Sequence, residues 1–191
     1  MKLNLITIEN FYSNVDEVRN FALSQEFGVS GNYPGYRTKS FINESTKEHI
    51  QKILYRHVGK VTDWLDDDIT SDGYTGSFQL TTSQDKSWVH VDCHNDWAGI
   101  IYLTPNAPPS GGTGFFKSKI DGSYSSNNYY YFPNYVYSDM SRWEMTYSVS
   151  NVYNRLVLFR ANQWHTSLDY FGDSTNTGRL TQVFFIKTEK K

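Results

Sequence analysis

The chain is poor in the features that would place it outside the cell, in a membrane or on a nucleic acid. Cys93 is its only cysteine, so no internal disulfide can form and an oxidising compartment is not required. No apolar run approaches the length of a membrane span. The opening Met1–Asn10 segment is interrupted by polar residues and lacks the apolar core and cleavage site of a secretory signal. Charge of neither sign prevails: 18 Lys and Arg stand against 20 Asp and Glu, a net charge of −2. Bulk electrostatics therefore gives no reason to expect a nucleic-acid partner, although a local basic groove is compatible with it. These absences predict a soluble, cytoplasmic protein with no membrane and no nucleic-acid partner. Oligomeric state is not readable from them.

What the chain has in quantity is aromatic residues, 17 % of the total with 15 Tyr, which points to a β-rich fold because rings pack well on pleated surfaces. Its 191 residues suit one domain able to bury a core without staples. We read 1–191 as that domain, with a strand and supporting helices over 1–75, a β core over 76–187 and an insertion over 118–153.

Residues 3–8 alternate loosely enough for a short strand. A helix is predicted from about Asn14, with Asp16 and Glu17 in its first turn and an apolar face of Val15, Val18, Phe21 and Ala22. Residues 27–43 are Gly-, Tyr- and Pro-rich, with a turn signal at Tyr33-Pro34-Gly35-Tyr36. A second helix is predicted to start at a capping box of Ser45 and Glu48 and to carry a stripe through Ile50, Ile53, Leu54, Val58, Val61, Trp64 and Leu65. His57 lies on that stripe as a packing residue, and Asp66, Asp67 and Asp68 form a solvated exit. From Gly76 the period becomes alternating, and 76–82, 87–92, 97–104, 113–117, 155–160 and 179–187 read as strands. The insertion shows one helical turn near Asp139–Met145. Helices followed by many strands without crossover helices favour an antiparallel sandwich or barrel.

In the strand around His90-Val91-Asp92, alternation puts His90 and Asp92 on one face and Val89 and Val91 on the other. One imidazole and one carboxylate then reach the same point in space. A second imidazole completes a facial triad that leaves three positions of a metal open. His165, just past the apolar strand Leu156-Val157-Leu158-Phe159, is the natural candidate. A bare His-x-Asp is a chance-prone pattern, and the weight comes from Arg179, 14 residues after His165. Alternation sets Arg179 and Thr181 opposite Leu180, Phe184 and Ile186. A guanidinium buried on an otherwise apolar strand needs an anion, and the far carboxylate of a dicarboxylate would supply one in bidentate fashion. Two other classes use the same ligands: a catalytically inactive jelly-roll binding or structural module, and a zinc hydrolase. Both leave Arg179 without a task.

His90-Val91-Asp92, Ile100-Ile101-Tyr102-Leu103, Gly111-Gly112-Thr113-Gly114-Phe115, Asn154-Arg155-Leu156-Val157-Leu158-Phe159 with His165, and Gly178-Arg179-Leu180-Thr181 are ordered like successive blocks of a known group. Over residues 76–187 the chain resembles the prolyl-4-hydroxylase-like iron(II)- and 2-oxoglutarate-dependent oxygenases, and in particular uncharacterised phage and bacterial members, which would place it in the host cytoplasm if phage-encoded. The resemblance implies a mainly β double-stranded β-helix (a cupin-like jelly roll) with N-terminal helices. It implies that His90, Asp92 and His165 bind iron(II) and carry the catalysis. Arg179 would bind the C5 carboxylate of 2-oxoglutarate, Tyr102 would hydrogen-bond the same carboxylate, and Thr181 would stand beside it. With O2 as the further cosubstrate, the implied activity is hydroxylation of a C–H bond in a peptide or protein residue or an amino-acid-like small molecule. A carboxylate at Asp92 argues against halogenation, which in this group generally has a small residue there. The long spacing from His165 to Arg179 and the Tyr-rich insertion depart from the common pattern and leave the substrate open.

Around the triad, Trp88 on the His90 face and Trp164 beside His165 are candidate walls of the site. Arg37 and Tyr36, with Tyr33, Tyr129–Tyr131, Tyr135 and Trp143, are candidates for a substrate mouth. His94 and Asp96 belong to its rim rather than to the ligand set, and Cys93 reads as an inert buried thiol.

Overall fold

In the computed structural model, which describes residues 3–65 and 74–189, strand β1 (Leu5–Ile8) leads into helix α1 (Val15–Leu23). Asp16 and Glu17 occupy the first turn of α1, where carboxylates meet the positive end of the helix dipole. Ala22 is buried as expected, but Phe21 stays largely exposed with its ring edge-on to Phe41.

The turn-rich stretch contains a strand that its composition hides. Strand β2 (Tyr36–Ser40) pairs with β4 (Ser77–Thr81) at the sheet edge. Gly35 makes this approach feasible: its φ is 70°, and a Cβ there would lie 2.1 Å from the Leu80 carbonyl oxygen.

Helix α2 (Glu44–His57) departs from expectation at both ends. Its cap is Asn43, whose Oδ1 accepts from the Thr46 N–H at 2.9 Å, so Ser45 lies inside the first turn. It stops at His57, before Gly59 at φ 124°, and Val61–Trp64 becomes strand β3. The predicted stripe is therefore split, with Ile50 and Leu54 buried from a helix and Val61 from a strand. His57 is exposed rather than packed. Asp66, Asp67 and Asp68 lie outside the described residues.

The remaining strands are β5 (Trp97–Tyr102), β6 (Thr113–Ser118), β7 (Trp143–Val149), β8 (Leu156–Arg160), β9 (His165–Ser167) and β10 (Arg179–Thr188). The larger sheet runs β1-β8-β5-β10-β4-β2, with β3 also paired to β10. The smaller runs β7-β6-β9. All these pairings are antiparallel. The insertion supplies β7, helix α3 (Asn134–Ser138) and a helical turn over Met140–Arg142. Residues 87–92, expected as a strand, run with one isolated bridge, His90 to His165.

Alternation divides the core into layers. The outer face of the larger sheet, including Ile101, Leu156, Leu158, Leu180 and Phe184, packs on Ile50 and Leu54 of α2 and Ala22 of α1. Its inner face meets the smaller sheet through Ala98, Tyr102, Val157 and Phe159 against Phe115. Behind the smaller sheet, Val89, Val91, Phe116, Trp143 and Trp164 form a third cluster. This is the double-stranded β-helix, or jelly roll, with helices on one face. Among the described residues, no helix is long and apolar enough to cross a membrane.

Candidate metal centre

His90 and Asp92 are aimed together by the alternation of the 87–92 segment. Val89 and Val91 are 0 % and 1 % exposed in the rear cluster, which turns His90 and Asp92 into a cavity of about 400 Å³. His165, the first residue of β9, enters from the other side. Its Nε2 lies 3.3 Å from Asp92 Oδ2, and His90 Nε2 lies 4.0 Å from Asp92 Oδ1. One ligand atom from each of the three residues falls within 4.8 Å of the others.

The outer nitrogens decide what the inner ones offer. His90 Nδ1 lies 3.0 Å from the Trp88 carbonyl and His165 Nδ1 lies 2.9 Å from the Gln163 carbonyl. A carbonyl only accepts, so each Nδ1 carries a proton and each ring is turned with its Nε2 inward. Two imidazole nitrogens and a carboxylate thus converge on one point, an arrangement that a cation between them satisfies. Burial, then the neighbouring His165, push His90 down to about 4. Burial alone would raise Asp92, but the hydrogen bond and charge of His165, then His90 and Arg37, hold it below the usual carboxylate range. Two nitrogens and one oxygen on one side of a metal fit iron(II) with positions left open.

The expected anion anchor is buried one side chain behind the cavity. Thr113 borders the cavity, and its Oγ1 lies 2.7 Å from the Tyr102 hydroxyl. The Arg179 guanidinium stands 5.4 Å from the Tyr102 ring centre and is 2 % exposed. Its Nε donates to the Gly111 carbonyl at 2.8 Å and one terminal nitrogen to the Gly112 carbonyl at 3.4 Å. Thr181 is buried on the same face of β10 and sits opposite Tyr102 in the register. Burial raises the Tyr102 phenol, and Arg179 and Thr113 work against that rise.

The candidate mouth residues separate into two groups. Trp88, Arg37, Tyr33, Tyr129, Tyr130 and His94 border the cavity. Tyr36 does not: β2 turns it outward, 57 % exposed. Trp164 is not a wall of the cavity either. It is 0 % exposed in the rear cluster, because the residue before His165 on an extended segment faces the other way. Trp143 is buried in the same cluster and Tyr135 is exposed. Asp96 accepts the Thr188 N–H at 2.8 Å instead of reaching the site. Sequence reasoning missed two groups. Thr113 was visible only as part of the Gly-Gly-Thr block. Gln79, which borders the cavity beside Arg37, had no signal beyond sharing a strand face with Ser77 and Thr81.

Fold and donor set together define a class, and comparison with solved structures agrees on the fold. Over 97 % of this chain and 83 % of its own, HygX from Streptomyces hygroscopicus, solved with nickel, 2-oxoglutarate and hygromycin B bound, is similar at a TM-score of 0.63 and 11 % identity. SnoK, a non-heme alpha-ketoglutarate-dependent carbocyclase from nogalamycin biosynthesis, is similar at 0.56 and 13 % identity over 96 % of this chain and 79 % of its own. A prolyl hydroxylase from Trichoplax adhaerens, solved with a hypoxia-inducible-factor peptide, is similar at 0.52 and 12 % identity over 97 % and 84 %. These structural neighbours are iron(II)/2-oxoglutarate-dependent oxygenases, and at such identities the likeness is one of fold. No curated protein matches the chain. Residues 1–186 match the model of a family of unknown function, DUF6445, and the chain belongs to that family.

Proposed function

We propose that this protein is an iron(II)- and 2-oxoglutarate-dependent dioxygenase that hydroxylates a C–H bond of an amino-acid-like small molecule or of a residue in a peptide. The observation that carries this reading is the orientation of both imidazoles. Backbone carbonyls of Trp88 and Gln163 take the Nδ1 protons, so His90, His165 and Asp92 offer a ready set of three donors on one side of a metal.

In this reading His90, Asp92 and His165 hold iron(II). Arg179 receives the C5 carboxylate of 2-oxoglutarate, exchanging part of its contact with the Gly111 and Gly112 carbonyls for a charge-assisted pair. Tyr102 accepts from the Thr113 hydroxyl and donates its own proton to the same carboxylate, with Thr181 beside them. The bound iron and 2-oxoglutarate supply the oxidising chemistry, in which O2 is consumed, 2-oxoglutarate becomes succinate and carbon dioxide, and an unactivated C–H bond is hydroxylated. The chain's own contribution is placement and exclusion of water: Trp88, Phe159 and Phe185 wall the cavity around the ligands. Asp92 fills the third ligand position with a carboxylate, which favours hydroxylation over halogenation.

The test is anaerobic addition of iron(II) and 2-oxoglutarate while watching for a visible metal-to-ligand charge-transfer band. The wild type is expected to give the band and His165→Ala to lose it. A wild type with no band overturns the proposal.

A further inference from the structure

Arg37 is a second arginine of the barrel interior, and metal and cosubstrate binding give it no task. The β2 strand turns it inward, 6 % exposed. Its Nε and one terminal nitrogen both donate to Gln79 Oε1, at 3.1 and 3.0 Å. Gln79 Nε2 donates in turn to the Pro34 carbonyl at 2.8 Å, which fixes the orientation of the amide. The Tyr33 ring centre lies 3.8 Å from the guanidinium carbon and that of Phe185 5.6 Å. This charge is therefore held in a set place in the wall of the metal cavity. Burial pushes it down to about 10, which leaves it positive at neutral pH.

Its position differs from that of Arg179. In the register of β4 with β10, Thr81 faces Arg179 and Gln79 faces Thr181, and Arg37 pairs with Gln79 from the far side of β4. Arg179 stands behind Thr113, whereas Arg37 borders the cavity itself on the side of Asp92. The cavity continues past His90 into a groove of about 470 Å³ lined by Asn32, Trp88, Tyr129, Tyr130, Asn134 and Tyr137, which offers rings, amides and hydroxyls.

We infer, resting on the oxygenase reading, that Arg37 sets substrate specificity: the substrate is a small carboxylic acid whose terminal carboxylate docks against Arg37 while its uncharged body passes the metal toward the aromatic groove. The acid is terminal because Arg37 is closed off from solvent, so a chain running on past the carboxylate has no exit there. A guanidinium recognises a carboxylate through paired, charge-assisted hydrogen bonds that an amide cannot match.

The experiment uses a library of N-acetyl amino acids and aromatic monocarboxylic acids, each matched with its primary amide. Binding is read by tryptophan fluorescence on the metal-free protein, and by perturbation of the visible band on protein loaded anaerobically with iron(II) and 2-oxoglutarate. At least one acid is expected to bind wild type tenfold to a hundredfold, in order of magnitude, more tightly than its amide. That preference should collapse to near unity in Arg37→Met and survive in part in Arg37→Lys, with 2-oxoglutarate affinity unchanged in both. Amides binding as well as acids, no acid binding, or an acid preference intact in Arg37→Met overturns the inference. Loss of 2-oxoglutarate affinity in the Arg37 variants overturns it too, because Arg37 would then anchor the cosubstrate. A wild type without the visible band defeats the oxygenase reading, while the fluorescence arm still decides the role of Arg37.

Discussion

His90 and His165 are backbone partners as well as side-chain neighbours. The His90 N–H donates to the His165 carbonyl at 2.9 Å, the His165 N–H returns the bond at 3.0 Å, and the ring centres lie 4.3 Å apart. A single antiparallel bridge therefore sets the spacing of the two imidazoles before any metal arrives. Because that bridge is made of main chain, it does not need either ring. His165→Ala is expected to keep the fold, with an unchanged far-ultraviolet circular dichroism spectrum. Its affinity for iron(II), measured by anaerobic titration, should fall by more than the roughly 10–100-fold that loss of a supporting partner costs. Metal affinity within threefold of wild type would remove His165 from the ligand set.

The lowered His90 pKa links protonation to stability. The imidazole titrates near 6.5 in the unfolded chain and near 4 in the folded one. Between those values the unfolded state binds more protons, so stability is fully present above about 6.5 and is lost as pH falls toward 4. For the metal-free protein the loss is on the order of 2–3 kcal/mol over that window. Thermal melts of metal-free wild type from pH 7.5 to 4 should show this decline, and His90→Gln should show a flatter profile. Equal slopes in the two proteins would sink the assignment.

How much of this was legible in the sequence depends on whether a feature is local. Alternation along Arg179–Ile186 sets the inward face correctly, because one sheet face is buried on helices and the other on the second sheet. The phase around His90-Val91-Asp92 was equally readable, although that segment is held by one bridge rather than a strand ladder. Strand β2 was hidden because its register comes from β4, some forty residues on, and not from its own propensities. The α2 stripe was over-extended through Val61 and Trp64 because apolar residues at helical spacing serve a strand just as well. From the sequence Arg37 reads only as a mouth residue. What fixes it, Gln79 and the Pro34 carbonyl, has no trace at its own position.

In the proposed function Arg179 serves both stability and 2-oxoglutarate binding, and the two effects separate by substitution. Removing its side chain takes one donor from each of the buried Gly111 and Gly112 carbonyls, which keep Asn151 Nδ2 and the Leu168 N–H, so what is lost is the hydrogen bonding of a charged group, about 1.5–3 kcal/mol. Arg179→Lys restores a positive charge but not the planar fork. Arg179→Ala is expected to lower the melting temperature and to weaken 2-oxoglutarate at least tenfold in titrations of the visible band, while Arg179→Lys recovers part of both. A variant that is destabilised yet binds 2-oxoglutarate as tightly as wild type would leave Arg179 a purely structural residue.

The two tryptophans predicted as walls of the site should behave differently. Trp164 is 0 % exposed, lies tilted against Trp143 at 5.1 Å and stacked on Phe132 at 5.7 Å, and donates its indole N–H to Ser123 Oγ at 3.1 Å. Trp164→Ala opens a cavity in the cluster behind the smaller sheet and should cost about 3–5 kcal/mol. Its folded fraction should bind iron(II) and 2-oxoglutarate normally, since the Gln163 carbonyl that orients His165 belongs to the main chain. Trp88 borders the metal cavity and its ring centre lies 6.4 Å from that of His90. Trp88→Ala should cost less in stability and leave the Nδ1 contact of His90 in place, because that contact too is to a carbonyl. What it should change is the cavity, read as a shift of the visible band of the iron(II)- and 2-oxoglutarate-loaded protein that Trp164→Ala does not produce. The opposite pattern, with Trp88→Ala the less stable and Trp164→Ala shifting the band, would mean that the faces of these two segments have been exchanged.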